Sequence, residues 1–284
     1  MSSCIVYLNG QFLPIEQAQI SVMDRGFLFG DGVYEVIPMF AGKLFLAAAH
    51  LKRLQASLAA ISLSLPPELD ITTIIEQLIL HNPDQGENRA IYLQITRGAP
   101  AAREHTFPAP STPPTVFLQS TIFTPTPEAV LRQGARAITV PDIRWQHCYI
   151  KAIILLPNIL GAEQAKQQDA KEVIWIRNGM ALEGASSNLF TVKDDVLYTP
   201  PADKNILCGI TRNFILTLAK QEHIPFKEQI IPQASLRQAD EVWMTGSLKE
   251  ILPITHIDDY AVGEGKVGPL WQRVFTCYQR RYCR

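Results

Sequence analysis

Glu172-Val173-Ile174-Trp175-Ile176-Arg177-Asn178-Gly179, with Asn188-Leu189-Phe190-Thr191-Val192-Lys193-Asp194-Asp195-Val196-Leu197-Tyr198-Thr199 close behind it, is the stretch on which the fold class turns. Both pieces are rich in β-branched and aromatic residues. Each contains a dipeptide, Asn178-Gly179 or Asp194-Asp195, suited to the left-handed backbone of a tight hairpin. Hairpins pair strands antiparallel, whereas a doubly wound sheet needs a helical crossover between successive strands. The expectation is an α+β architecture.

The flanking segments agree with it. Strands are expected at 135–140 and 241–245, and helices at 156–170, 211–222 and 269–282. In the N-terminal half, segments 4–8 and 11–13 flank Asn9-Gly10, and the apolar run 33–40 meets 43–46 across Ala41-Gly42, giving two more hairpins. Leu51, Leu54, Leu58, Ile61 and Leu65 alternate steps of three and four, which places all five on one helix face. A second helix is expected over 71–79, then strands at 90–96 and 115–122 around a proline-rich loop, 100–114. Thr124-Pro125-Thr126-Pro127 cannot continue a central strand. The expected organisation is an N-terminal α+β domain (1–123), an interdomain linker (124–129) and a C-terminal α+β domain (130–284).

The 284 residues carry 26 Lys or Arg and 27 Asp or Glu, a net charge of −1, with 47% hydrophobic and 19% charged residues. That composition supports a full apolar core and gives no basic excess to neutralise a phosphate backbone, so no nucleic-acid partner is expected. Cys4, Cys148, Cys208, Cys277 and Cys283 form no CxxC pair, and the six histidines show no metal-ligand spacing, which argues against a disulfide framework and a metal site. Met1-Ser2-Ser3-Cys4 lacks a basic leader, and the apolar stretch 152–157 is far short of the roughly 20 residues that span a bilayer. A cytoplasmic protein without a membrane partner is expected.

No GxGxxG follows an expected strand, and the GxxxxGK[ST], HExxH and GxSxG motifs of nucleotide-binding proteins, metalloproteases and hydrolases are missing. Four weaker features remain. Lys151 sits in Tyr149-Ile150-Lys151-Ala152-Ile153-Ile154-Leu155-Leu156, where burial makes an amine nucleophile, although a snorkelling lysine fits the same window. Leu182-Glu183-Gly184-Ala185-Ser186-Ser187-Asn188 offers a carboxylate at a strand end, or simply a turn. Gly209-Ile210-Thr211-Arg212 opens a helix as an anion site or as an N-cap. Met244-Thr245-Gly246-Ser247 is a phosphate cradle or a turn.

Their order along the chain, together with Asp24-Arg25-Gly26-Phe27-Leu28-Phe29-Gly30-Asp31-Gly32-Val33-Tyr34-Glu35-Val36, His50-Leu51-Lys52-Arg53-Leu54 and Gly265-Lys266-Val267-Gly268, resembles fold-type IV pyridoxal-phosphate aminotransferases, and of these the D-amino acid transaminases most. The resemblance covers nearly the whole chain. It implies a two-domain fold with the cofactor, pyridoxal 5'-phosphate, at the domain interface, and a homodimer with shared active sites.

By that resemblance Lys151, on the C-terminal domain, forms the Schiff base and moves the α-proton of the substrate. Glu183 pairs with the pyridine nitrogen. Arg53, on the polar side of the leucine-striped helix, holds the phosphate with Ile210, Thr211 and Ser247, while Leu207 packs on the ring and Ser186 lies beside it. Asp169 and Asp194 have no matching role. Arg103 and His105 look like a carboxylate trap reached from the partner subunit, with Tyr34 and Val36 also on the substrate side; a charged loop face is the other reading for His105. The resemblance thus implies transamination of a D-alanine-like donor with 2-oxoglutarate. Branched-chain transamination, aminodeoxychorismate lyase activity and a silent small-molecule binding protein are the rivals. Ala185 and Gly246 stand where serine is common in the family, and Leu248 makes its loop more apolar; His147 and Cys148 are read as packing residues.

Overall fold

The apolar residues Val33 and Ile37 point to one side of a nine-residue strand, and the helices of the first unit cover that side. In the computed structural model, which describes residues 4–282, the chain divides into two compact units: 1–124 with 150–154, and 125–149 with 155–284. The expectations for Met1, Ser2, Ser3 and Cys283 lie outside the described residues.

The first unit runs β1 (Ile5–Leu8), β2 (Gln11–Pro14), α1 (Arg25–Phe29), β3 (Gly32–Phe40), β4 (Lys43–Leu44), α2 (Ala47–Ala60), α3 (Ile71–His81), β5 (Arg89–Thr96) and β6 (Thr115–Ile122). Its strands form one antiparallel sheet in the order β2-β1-β6-β5-β3-β4. Val33, Ile37, Ile91, Leu93, Ile95, Val116 and Leu118 pack with Leu54, Leu58, Ile74, Ile75 and Leu78 from α2 and α3. Each such fully buried side chain contributes roughly 1.5–3 kcal/mol. The leucine stripe extends past its helix. α2 ends at Ala60, so Ile61 is the C-cap and Leu65 lies beyond it, both still packed on the same core.

Segment 150–154 corrects the expected placement of Lys151. β4 pairs with β3 only at Met39 and Phe40, which leaves the other end of that edge open for backbone pairing. There Val33 bridges Ala152, Tyr34 N–H donates to the Lys151 carbonyl at 3.0 Å, and Ile153 N–H donates to the Gly32 carbonyl at 3.1 Å. Ile150 and Ala152 join the first unit's core. Lys151 thus belongs with the N-terminal strands by packing, although it follows the linker in sequence.

The second unit comprises α4 (Glu128–Leu131), β7 (Ala135–Pro141), α5 (Leu156–Gln167), β8 (Glu172–Arg177), β9 (Met180–Ala181), β10 (Asn188–Lys193), β11 (Val196–Thr199), α6 (Ile210–Gln221), β12 (Phe226–Glu228), β13 (Ile231–Pro232), β14 (Glu241–Gly246), β15 (Glu250–Ile257), β16 (Tyr260–Ala261) and α7 (Pro269–Tyr282). The hairpins at Asn178-Gly179 and Asp194-Asp195 form, with all four of those residues at positive φ. The sheet is nevertheless mixed, in the order β12-β11-β10-β14-β15-β7-β8-β9-β13, with β7 parallel to both β8 and β15. β15 is not expected from the sequence because Pro253 interrupts its pattern; here Pro253 pairs with Trp243 inside the sheet. Gly161 lets α5 lie against Trp175, since a Cβ there would meet the indole at 2.5 Å.

Candidate active site

In the first unit the period of β3 divides its side chains. Glu35 falls on the face covered by α2, and Tyr34 and Val36 fall on the opposite, half-buried face. His50 and Arg53, three residues apart on α2, both reach Glu35. Arg53 Nε and Nη2 donate to Oε1 and Oε2 at 2.7 and 2.8 Å, and His50 Nδ1 lies 2.8 Å from Oε2. The sequence places Arg53 on the polar side of its helix; its side chain is only 11% exposed because Glu35 draws it inward. Burial alone would raise the Glu35 carboxyl. The hydrogen bonds of Arg53 and His50, with the charges of Arg53 and Lys151, outweigh that and hold it at about 2. Burial lowers the pKa of His50 against the pull of Glu35. The ring is then neutral, and because an ionised carboxylate has no hydrogen to give, Nδ1 is the donor.

Lys151 is half-buried, with Nζ 4.0 Å from the Tyr34 ring centroid and its backbone N–H donating to Ser57 Oγ at 3.2 Å. Tyr34 lies 5.9 Å from Tyr92, whose hydroxyl donates to Gln94. The first unit thus brings Lys151, Tyr34, Glu35, His50 and Arg53 into one neighbourhood. Arg103 and His105 are exposed on the loop between β5 and β6 and flank Phe29, the guanidinium 4.6 Å and the imidazole 5.5 Å from its centroid.

In the second unit Glu183 is buried after β9. Oε1 accepts from Arg144 at 2.5 Å, and Oε2 accepts from Asn188 Nδ2 at 3.1 Å and the Leu207 N–H at 3.0 Å. Asp142 takes the other edge of Arg144 and pairs with Arg177 at 2.8 Å, so Glu183 receives only part of one guanidinium. Burial therefore prevails and pushes the Glu183 carboxyl up to about 7.

Near it begins α6. Gly209 is the N-cap without a side-chain cap bond, and a Cβ there would collide with Asn188 Oδ1. The first N–H groups of α6 have no partner within the helix. The Thr211 hydroxyl is buried without a hydrogen-bond partner. A buried, unanswered donor at a helix N-terminus fits an anion such as a cofactor phosphate, and a buried carboxylate fits a ring cation. Asn188 pairs with Thr245 across β10 and β14, which brings the half-buried Ser247 to the same end of the sheet. Ser186 is exposed, with its carbonyl against Gly246, and Leu207 is half-buried. Of the two residues read as packing, Cys148 is buried. His147 is exposed and meets Trp145 and Tyr149 in T-shaped ring contacts.

Sequence reasoning missed Glu35, His50, Asp142, Arg144 and Asn188 as site residues. The signal for Glu35 was present: a charge in phase with Val33 and Ile37 on the covered face of a strand needs a partner. Asp142 and Arg144, two apart in an apolar strand end, carry the same kind of signal.

The fold and its likeness to known proteins define an aminotransferase that uses pyridoxal phosphate. Residues 32–257 match the amino-transferase class IV family, and the chain belongs to it. Among curated proteins it is 41% identical over 280 residues to the D-alanine aminotransferase of Staphylococcus epidermidis, covering 97% of this chain and 96% of that one. It is 40% identical over 266 residues to the same enzyme of Listeria monocytogenes, covering 93% and 91%. Among solved structures, the branched-chain amino acid aminotransferase of Escherichia coli superposes with a TM-score of 0.88 at 28% identity, over 99% of this chain and 95% of that one. A T.th. branched-chain amino acid aminotransferase complexed with N-(5'-phosphopyridoxyl)-L-glutamate gives 0.87 at 25%, with the same coverage.

Proposed function

We propose that this chain transaminates D-amino acids, taking a D-alanine-like donor and 2-oxoglutarate. The observation that carries the substrate class is the Arg103-x-His105 pair, two exposed donors on one loop beside Phe29, suited to a substrate carboxylate. The curated relatives named for D-alanine agree with it. The likeness to branched-chain enzymes supports the rival reading, but at 25–28% identity it concerns the shared fold more than the substrate.

When bound, pyridoxal phosphate supplies an aldehyde that couples to amines and a ring that draws electrons from the substrate α-carbon. Lys151 would be the amine that holds it, and once the substrate amine has taken its place the freed Lys151 Nζ would accept the proton that leaves the α-carbon and hand it on. Arg53, oriented by Glu35, would hold the phosphate, as would the backbone N–H groups of Ile210 and Thr211 and the hydroxyls of Thr211 and Ser247. Glu183 would hold the ring nitrogen, and a ring cation beside it would favour the ionised carboxylate that desolvation alone disfavours. Leu207 and Ser186 line the ring, and Tyr34 and Val36 line the substrate.

The enzyme acts as a cytoplasmic homodimer in this reading. The half-exposed Trp145 and Tyr149 and the exposed Leu156, Ile159 and Leu160 suit a second copy. Cys4, Cys148 and Cys277, present as thiols, suit a reducing compartment. No helix among the described residues is long and apolar enough to cross a membrane.

The test is borohydride reduction of the coloured protein followed by peptide mapping, with rates on D-alanine and L-leucine. Cofactor on Lys151 and turnover of D-alanine are expected. Label on another lysine overturns the mechanism, and turnover of L-leucine alone overturns the substrate class.

A further inference from the structure

The loop that carries Arg103 and His105 leaves the β5–β6 hairpin at the Thr96–Thr115 pair. Its stem is clamped by the buried Asp24, which accepts from Thr96 Oγ1 at 2.9 Å and Thr115 Oγ1 at 2.6 Å. Gly98 has φ +82, and a Cβ there would run into the Pro113 carbonyl, so the two arms cross closely just above the stem.

The tip is held by a second device. Arg25, buried in α1, points Nη1 at the loop and donates to the carbonyls of Glu104 at 2.6 Å and Thr106 at 3.2 Å. Its Nε donates to Asp31 Oδ2 at 2.8 Å. Arg97 donates to the same oxygen at 2.9 Å, is tied to the carbonyls of Ile61 and Ser62, and lies 3.7 Å from the centroid of the Phe107 ring. One carboxylate thus fixes two guanidinium groups, and both touch the loop. The carbonyls taken by Arg25 belong to Glu104 and Thr106, which alternate with Arg103, His105 and Phe107. Phe29 receives Arg25 at 4.8 Å as well as Arg103 and His105.

We propose that Arg25 and Arg97, both anchored on Asp31, are positioning residues that set the register of the 103–107 loop and so determine how well the enzyme holds a substrate carboxylate. This rests on the reading above that Arg103 and His105 grip that carboxylate. One guanidinium nitrogen shared between alternate carbonyls fixes the backbone that presents the gripping side chains, whereas a flexible tip would spend binding energy on ordering itself. The clasp therefore acts on affinity and leaves the chemical step alone.

The experiment compares Arg25→Met, Arg103→Met, the double variant and Phe107→Ala in the cofactor-loaded enzyme, reading KM and kcat for D-alanine and 2-oxoglutarate with the cofactor absorption band. Arg25→Met leaves Asp31 paired with Arg97. It is expected to raise both KM values by about tenfold, with kcat within about twofold and the band unchanged. The double variant should fall short of additivity, because Arg25 acts through the loop that carries Arg103. Phe107 is 60% exposed, so its removal keeps the core intact; Phe107→Ala should raise KM in the same direction and decides the matter if Arg25→Met does not fold. Unchanged KM in Arg25→Met or Phe107→Ala, beside a raised KM in Arg103→Met, overturns the clasp alone. Fully additive effects in the double variant overturn it too. Unchanged KM in Arg103→Met overturns the carboxylate reading on which it stands.

Discussion

Glu35→Gln separates charge from shape at the centre of the first unit. The carboxylate is wholly buried and accepts from Nε and Nη2, one edge of the Arg53 guanidinium, and from His50. Its carboxyl drops from an ordinary 4.5 to about 2, since Arg53 and His50 outweigh the cost of burial. At ~1.36 kcal/mol per pH unit, 2.5 units correspond to about 3.4 kcal/mol in favour of the ionised form. The sign follows from the direction. A depressed carboxyl adds stability that is complete above pH 4.5 and is lost as the pH falls towards 2. Integrating between those values leaves about 1.4 kcal/mol at pH 3. All four tryptophans, Trp145, Trp175, Trp243 and Trp271, lie in the second unit, so fluorescence does not report this region. Hydrogen exchange of the α2 and β3 amides does. Glu35→Gln is expected to lower their protection about 300-fold at pH 7 and about tenfold at pH 3, the same free energies written as ratios. An equal loss at both pH values would mean that packing, not the charge of Glu35, holds this region. A loss below about threefold at pH 7 would refute the reasoning outright.

Glu183 gives the opposite pH dependence. Its folded carboxyl is raised to about 7 from 4.5, so in the apoprotein ionisation costs up to about 3 kcal/mol, a cost absent below pH 4.5 and complete above 7. Glu183→Gln should therefore flatten the change in stability between pH 5 and pH 8 followed by tryptophan fluorescence; an unchanged profile refutes it. In the loaded enzyme the same variant should retain cofactor but slow the half-reaction on the order of a hundredfold, measured by stopped-flow absorbance, because a neutral partner stabilises the ring cation less. Thr211→Val removes the one unanswered hydroxyl at the start of α6 and should weaken cofactor affinity about fivefold, read by titrating the apoprotein, with little change in its melting temperature. Gly161→Val forces a side chain into Trp175 and should destabilise the second unit by about 1–3 kcal/mol, seen in denaturation by tryptophan fluorescence.

The elements set by local signals were legible. Asn-Gly and Asp-Asp turns gave the hairpins, and helical periodicity gave α2 and α3, because turn chemistry and a period of 3.6 act over a few residues. What escaped depends on pairs distant along the chain. The addition of Lys151 to the edge of β3 joins residues more than a hundred positions apart, and nothing near Lys151 records that β4 leaves this edge open. The parallel pair of β7 with β15 likewise joins strands more than a hundred residues apart that no local motif connects. At the site, residues fitting the family's order could be named, but their supports could not. Glu35 read as one letter of a motif, and only the facing helix shows why Arg53 turns inward.

Those supports share one design. Glu35 orients Arg53 and His50, and Asp31 orients Arg25 and Arg97. Asp142 fixes one edge of Arg144 while the other edge meets Glu183. Glu172, buried beneath the Ala185–Ser187 turn, accepts from Ser187 Oγ at 2.6 Å and from the Ala185 N–H at 3.0 Å, and pairs with Lys249 two residues beyond Ser247. Buried ion pairs seldom repay the desolvation of both partners, and apolar replacements of equal volume are often as stable. Stability therefore does not explain why the buried carboxylates lie beside the residues proposed to touch cofactor or substrate. Orientation does: a guanidinium locked by one carboxylate presents its remaining donors in one direction, and a loop tied to a carboxylate holds its hydroxyls in place before any ligand arrives. The net charge of −1 averages over these internal pairs. The expected consequence is that removing a supporting carboxylate changes affinity and pH profile together with local stability, whereas a core substitution such as Gly161→Val changes stability and leaves the pH profile alone.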